Sequence, residues 1–288
     1  MTAGVPQGSL LPPTLFNIYI HDIPITENQH SYKALYADDT ATMVRYSSPR
    51  MITFRLQHNI NILQDFYNKW RIDVNPSKSA AIFFSRRNVR STPKGHFTVY
   101  GQAIPWQNNV KYLGVTLDKK LTWHTQIKHT IKKTKNAAAA LYPLLNYNSQ
   151  TSLQNKILIY KSKLRPIMTY AAPIWATSNT KSLETLQNVL LRRFTKSPWF
   201  VRNSIINSGT KIPPLKKHIV ELAKTFFSKL ASNPNPSISC LGARKFVCKY
   251  VCICLPFTGI KQTVKKINTH KKNIINALHF AQGSPHIG

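Results

Sequence analysis

Asp38 and Asp39 stand side by side in the run Leu35-Tyr36-Ala37-Asp38-Asp39-Thr40, in a chain with nine Asp and Glu against 40 Lys and Arg. Adjacent carboxylates repel, and each resists ionising beside the other unless a cation lies between them; their hard oxygens suit a divalent metal such as Mg²⁺. The chemistry this suggests is phosphoryl transfer, in which carboxylates clamp two metal ions about 3.5 to 4 Å apart, one activating the attacking hydroxyl and the other stabilising the leaving oxygen. A turn that uses Asp for local hydrogen bonding is the plainer reading of the same pair.

The elements that would position the pair are legible on either side. Tyr32 to Tyr36 and Thr40 to Tyr46 are short aromatic and β-branched runs that predict two strands with the acids at the turn between them. Ile52, Leu56, Ile60, Leu63, Phe66 with Tyr67, and Trp70 recur every three or four residues, which predicts a helix packed on that hairpin. Before it, Thr2-Ala3-Gly4-Val5-Pro6-Gln7-Gly8-Ser9 is a small-residue loop whose glycines would let backbone approach a ligand. Leu11, Leu15, Ile18 and Tyr19 predict a short amphipathic helix behind Pro12 and Pro13, ending at about Ile20. After it, Val74-Asn75-Pro76-Ser77-Lys78 predicts a turn and Ala80 to Phe84 a strand, with Phe97–Ile104 and Val110–Leu117 as a further hairpin. The fold class expected is α+β.

Past Asp118 the pattern turns all-helical. Apolar stripes run through Ile127, Ile131, Thr134, Ala138, Leu141 and Leu145; through Leu153, Ile157, Tyr160 and Leu164, before Pro166; through Leu183, Leu186, Leu190 and Phe194; and through Leu215, Ile219, Leu222, Phe226 and Leu230. Lys128, Lys132, Lys133 and Lys135 fall on or beside the solvent side of the first. The formal charge of +31 and a pI near 10.3 are the footprint of a phosphate-bearing partner, although AT-rich coding sequence also inflates Lys, Asn and Ile. Asn233-Pro234-Asn235-Pro236 reads as a linker, and 237–288 is an unassigned basic tail expected to be poorly ordered. Its cysteines, Cys240, Cys248, Cys252 and Cys254, have no zinc-finger spacing. Met1 to Gly8 has neither a basic start nor an apolar run, and no stretch reaches the roughly 20 apolar residues of a membrane span. An intracellular protein, nuclear or cytoplasmic, off the membrane and without an inferable obligate protein partner, is expected.

With these residues in view the chain resembles the reverse transcriptases of non-LTR retrotransposons, of the insect jockey-like kind. Ala3 to Ser9 followed by Leu15-Phe16-Asn17-Ile18-Tyr19-Ile20 is similar to the family's motif B, Tyr36-Ala37-Asp38-Asp39 to motif C, Asn75 with Lys78 to motif D, and Tyr112-Leu113-Gly114-Val115 to the primer-grip hairpin. Tyr170 to Trp175 is similar to the region after the polymerase. The resemblance extends from residue 2 to about 236. It implies a partial polymerase palm over 1–117 and a helical thumb with the following region over 118–236.

By position, the resemblance makes Asp38 a ligand of two catalytic Mg²⁺ ions, with Asp39 beside it as secondary ligand or electrostatic partner. Gly4, Gln7, Gly8, Ser9 and Tyr36 would line the site where nucleotide meets template, Tyr112, Leu113 and Gly114 would lie against the primer end, and Lys78 could protonate departing pyrophosphate. RNA template, DNA primer and deoxynucleotides are the implied partners. Pro12 stands where relatives commonly carry Ser. The family's further catalytic Asp, on a strand preceding motif B, has no counterpart among these residues, and the strand bearing Asp38 is expected to lack a neighbour there. Polymerisation by these 288 residues alone is therefore not expected, and a non-catalytic basic nucleic-acid-binding protein is the other reading.

Overall fold

Strand alternation sets the layering of the N-terminal half. In the computed structural model, which describes residues 11–24, 30–37, 39–46, 48–85, 95–234 and 251–256, β1 (Ser31–Tyr36) and β2 (Asp39–Val44) form the expected antiparallel hairpin. Side chains on a strand point to opposite faces in turn. Thr40, Thr42 and Val44 therefore meet α2 (Pro49–Trp70), while Ala41 and Met43 line the opposite face. α2 buries Ile52, Leu56, Ile60, Leu63, Phe66 and Tyr67, the stripe its sequence spacing predicts. β3 (Ala80–Phe83) repeats the alternation, with Ala81 toward α2 and Ala80 and Ile82 on the other side.

The segments Phe97–Ile104 and Val110–Leu117 do not pair with each other as expected. Each folds on itself: β4 (Phe97–Val99) with β5 (Gln102–Ile104), and β6 (Asn109–Tyr112) with β7 (Val115–Asp118). The reason is local, because Tyr100-Gly101 and Leu113-Gly114 are two-residue turns with both φ angles positive, the geometry that matches strand twist in a tight hairpin. β4–β5 joins the α2 side, where Gln57 receives the Thr98 amide at 3.0 Å and donates to the Thr98 carbonyl at 3.0 Å. β6–β7 covers the opposite face through Val110 and Leu117.

One short piece of the tail is described. β8 (Val251–Pro256) inserts between β2 and β3, antiparallel to both, so the sheet order is β1-β2-β8-β3. β2 thus has a neighbour on each side, where an unpaired edge was expected. The short period of Val251–Pro256 gave no hint of a partner so far away in sequence. Cys252 and Cys254 lie on this strand, and Cys240 and Cys248 lie outside the described residues.

The C-terminal half packs α3 (His124–Ala140), α4 (Tyr142–Leu145), α5 (Leu153–Ile159), α6 (Arg165–Thr169), α7 (Ala172–Trp175), α8 (Lys181–Thr195), α9 (Asn203–Thr210) and α10 (Leu215–Ala231) around buried Trp175, Tyr160, Leu164, Met168 and Leu183. The Tyr160 hydroxyl donates to Gln187 at 2.6 Å and the Gln187 amide donates to the Pro213 carbonyl at 3.0 Å, so these two buried side chains satisfy each other and the backbone. The helix begun by α5 runs on past Pro166. A π turn over Tyr160–Leu164 widens the backbone, and Pro166 then sits in the first turn of α6, where its missing N–H costs nothing.

Two stripes are only partly buried. In α1 (Leu11–Tyr19), Leu11 and Ile18 stay exposed and Tyr19 makes the contact, its ring edge-on to Trp70 at 5.3 Å and its hydroxyl donating to the Trp70 carbonyl. In α10, Phe226 and Phe227 remain exposed beyond Ala223. No helix among the described residues is long and apolar enough to cross a membrane.

Candidate functional site

Tyr36 pairs with Asp39 across the hairpin, and Ala37 follows β1 into the connection between the two strands. Ala37 has φ of 49°, a left-handed conformation that its Cβ disfavours, and strain of this kind, about 1–3 kcal/mol, gathers where a turn must present something. Tyr36 is exposed beside it. Asp38 lies outside the described residues, as do Gly4, Gln7, Gly8 and Ser9. Asp39 begins β2 half-buried, and alternation puts it on the face of Ala41 and Met43, the one covered by β6–β7.

The sheet brings a second predicted residue to the same end. Ala41, Cys254 and Ala80 form one row across β2, β8 and β3, and Asp39 pairs with Pro256. Lys78, two residues before Ala80, therefore lies toward the Asp39 end, two interstrand steps or about 10 Å across. It closes a 3₁₀ turn over Pro76–Lys78 that Asn75 organises, its side chain accepting from the Ser77 amide at 2.9 Å and the Ser77 hydroxyl at 2.6 Å. Lys78 is exposed.

The third predicted element is the β6–β7 turn. Leu113 and Gly114 have φ of 46° and 77°, with Tyr112 opposite Val115. Its tip is gripped from the helical half: the Tyr170 hydroxyl donates to the Leu113 carbonyl at 2.8 Å, and a Cβ on Gly114 would come within 3.3 Å of the Tyr170 ring. Tyr170 is itself held by Trp175, whose indole N–H donates to the Tyr170 carbonyl at 3.0 Å. Deeper in the hairpin, Gln126 of α3 accepts from the Thr116 amide at 2.8 Å. Sequence reasoning assigned Tyr170 no role; its signal, a tyrosine directly before the Trp175 segment, has meaning only once both ends of the contact are known.

One other acid serves the fold. Asp118 is buried and accepts from the Thr122 amide, the Thr122 hydroxyl and the Trp123 amide at 2.8–2.9 Å, which caps the entry to α3. Among the described residues no three His, Cys, Asp or Glu side chains converge, and β8, the strand next to Asp39, has no acidic residue in Val251–Pro256. Mg²⁺ asks for near-octahedral oxygen ligands, so the described donors alone do not make its cage. On β1, Lys33 donates to the Pro24 carbonyl, and burial pushes its ammonium down to about 8.

Comparison with known proteins agrees with the reverse transcriptase resemblance. Residues 1–117 match the family described as "Reverse transcriptase (RNA-dependent DNA polymerase)". The chain is 31% identical over 279 residues to the RNA-directed DNA polymerase from mobile element jockey of Drosophila melanogaster, covering 94% of this chain and 30% of that protein. It is also 31% identical over 252 residues to the jockey polymerase of Drosophila funebris, and 31% over 247 residues to the probable RNA-directed DNA polymerase from transposon X-element of Drosophila melanogaster; each match covers 27% of the relative. The chain thus spans about 30% or less of the length of these relatives. A match over 94% of the chain must include much of 237–288, which corrects the expectation that similarity stops near residue 236. No solved structure matches the chain.

Proposed function

We propose that this chain, related by sequence to the reverse transcriptases of non-LTR retrotransposons, is part of such an RNA-directed DNA polymerase: palm residues in 1–117, thumb and following region in 118–236. The observation that carries the reading is that one sheet gathers the turn beside Asp39, the turn ending at Lys78, and, on the face Asp39 shares, the Leu113–Gly114 hairpin. These are the places where a nucleotidyl transfer site needs metal ligands, a proton donor for pyrophosphate and a rest for the primer end.

In the assembled enzyme Asp38 and Asp39 would hold Mg²⁺, which supplies charge neutralisation at the phosphates. Gly4, Gln7, Gly8, Ser9 and Tyr36 would line the nucleotide and template site, and Tyr112, Leu113 and Gly114 would set the primer terminus. Positioning is nearly all that protein groups contribute to phosphoryl transfer, so a missing carboxylate anchor costs many orders of magnitude. The 288 residues alone are therefore inactive in primer extension. The test supplies RNA template, DNA primer, deoxynucleotides and Mg²⁺ to this chain and to Asp38→Asn. Equal background signals are expected; template-dependent extension that vanishes in the variant overturns the inactivity and assigns the missing role to an acid present here.

A further inference from the structure

We propose that the loop after α8 is a stacking platform for the bases of single-stranded nucleic acid, separate from the palm site and independent of the polymerase reading. α8 ends with Lys196 in the left-handed conformation, and the chain then makes a tight turn in which the Val201 amide donates to the Pro198 carbonyl at 3.2 Å. Trp199 and Phe200 occupy the two central positions of that turn, where Gly, Asn and Asp are usual. Both project into solvent, 88% and 68% exposed, with ring centroids 6.0 Å apart and planes at 83°. A base laid on one ring would meet the edge or face of the other.

The loop is built rather than loose. Arg192 on α8 turns its guanidinium inward and donates to the Pro198 carbonyl, to the Val201 carbonyl at 2.9 Å and to the Asn203 side chain at 2.8 Å. A second latch joins Thr195 and Ser197 hydroxyls at 2.6 Å. Three side-chain bonds from one arginine fix a turn whose two apolar rings are then left bare, an arrangement that buries nothing for the fold.

The surroundings select the partner. From Thr185 to Val220 there is no acid, while Arg192, Arg193, Lys196, Arg202, Lys211, Lys216 and Lys217 fall in the same stretch. Arg193, Lys196 and Arg202 are exposed around the turn, and Lys196 lies 5.6 Å over the ring of Tyr147, another exposed aromatic. Flat apolar faces flanked by cations match a polymer with bare bases on a phosphate chain, and a duplex hides the faces this loop would contact.

Fluorescence anisotropy of the full chain with a labelled oligothymidine, its duplex and an abasic strand of equal length tests this. Binding tightest to the single strand is expected. Trp199→Ala should weaken it about tenfold or more, Trp199→Tyr should restore most of it, and the thermal midpoint should not move, since stacking contributes per base on that scale and the ring packs against no core. Arg202→Gln should lower the salt slope by roughly 0.7. Equal affinity for abasic and intact strands, or wild-type affinity in both Trp199→Ala and Trp199→Ala/Phe200→Ala, overturns the proposal. So does loss of binding to polyglutamate, with oligothymidine binding retained, in the double variant; the turn would then be a protein contact. Primer extension, positive or negative, leaves these outcomes unchanged.

Discussion

The two halves of the molecule solve the problem of a core in opposite ways. From α3 to α10 the helices close around Trp175 and Tyr160 with residues drawn almost wholly from 115–219, short in sequence and complete in themselves. The sheet half borrows. Its central strand β8 comes from beyond the helical half, and its β6–β7 turn is gripped by Tyr170 from that half. The half with the acid pair is therefore the half that cannot stand alone, while the basic half carries its own stability. The acid pair and the self-contained core lie in different halves.

The largest expected effect is all-or-none. Residues 1–117 expressed alone should be insoluble, because β2 and β3 then expose the edges that β8 pairs; residues 109–234 should be monomeric and unfold cooperatively. Gel filtration and denaturant unfolding of both pieces decide it, and a monomeric, cooperative 1–117 breaks the comparison. Next, Trp175→Ala in the full chain should cost about 3–5 kcal/mol by urea unfolding, since the ring is 1% exposed and its N–H is bonded to Tyr170.

Smaller effects sharpen the link between halves. Gly114→Ala and Gly101→Ala both place Cβ at positive φ, yet only the first meets an obstacle, the Tyr170 ring. Strain alone costs about 1 kcal/mol, so Gly101→Ala should lose that much and Gly114→Ala more. Equal losses in the two thermal midpoints would mean that Tyr170 yields freely. Tyr170→Phe removes the bond to Leu113 and should cost about 1 kcal/mol.

The smallest effect is a pH trend. Lys33 holds its proton less firmly when folded, near 8 against about 10.4 unfolded, so the unfolded state binds more protons between those values and stability rises with pH from about 8 toward 10. Lys33→Met should flatten that rise in midpoints measured from pH 7.5 to 9.5, below the range where tyrosines ionise; an unaltered slope sinks the assignment.

Much of this was legible because it is local. The spacing from Ile52 to Trp70 gave α2, and the runs around Asp38 gave the hairpin, since period and turn chemistry need no distant partner. The family match over residues 1–117 agrees with the resemblance read from the motifs. What stayed hidden was non-local. Val251–Pro256 is an apolar hexapeptide that fits any sheet; Tyr170 is one aromatic among twelve tyrosines until Leu113 is beside it; Phe226 reads as core until the neighbour it would need is absent from the described surroundings.

The position of β8 also bears on how the protein comes into being. Asp39 must find Pro256, so the sheet closes a loop made of most of the chain and gains nothing from that contact until nearly all of it has been made. At ordinary elongation rates β2 leaves the ribosome roughly ten to forty seconds before β8. During that wait the helical half, whose contacts are local, folds first and β2 and β3 stay open to any passing strand. A chaperone engaged on the nascent sheet, or a translation pause before residue 251, would change yield more than any substitution in the finished molecule.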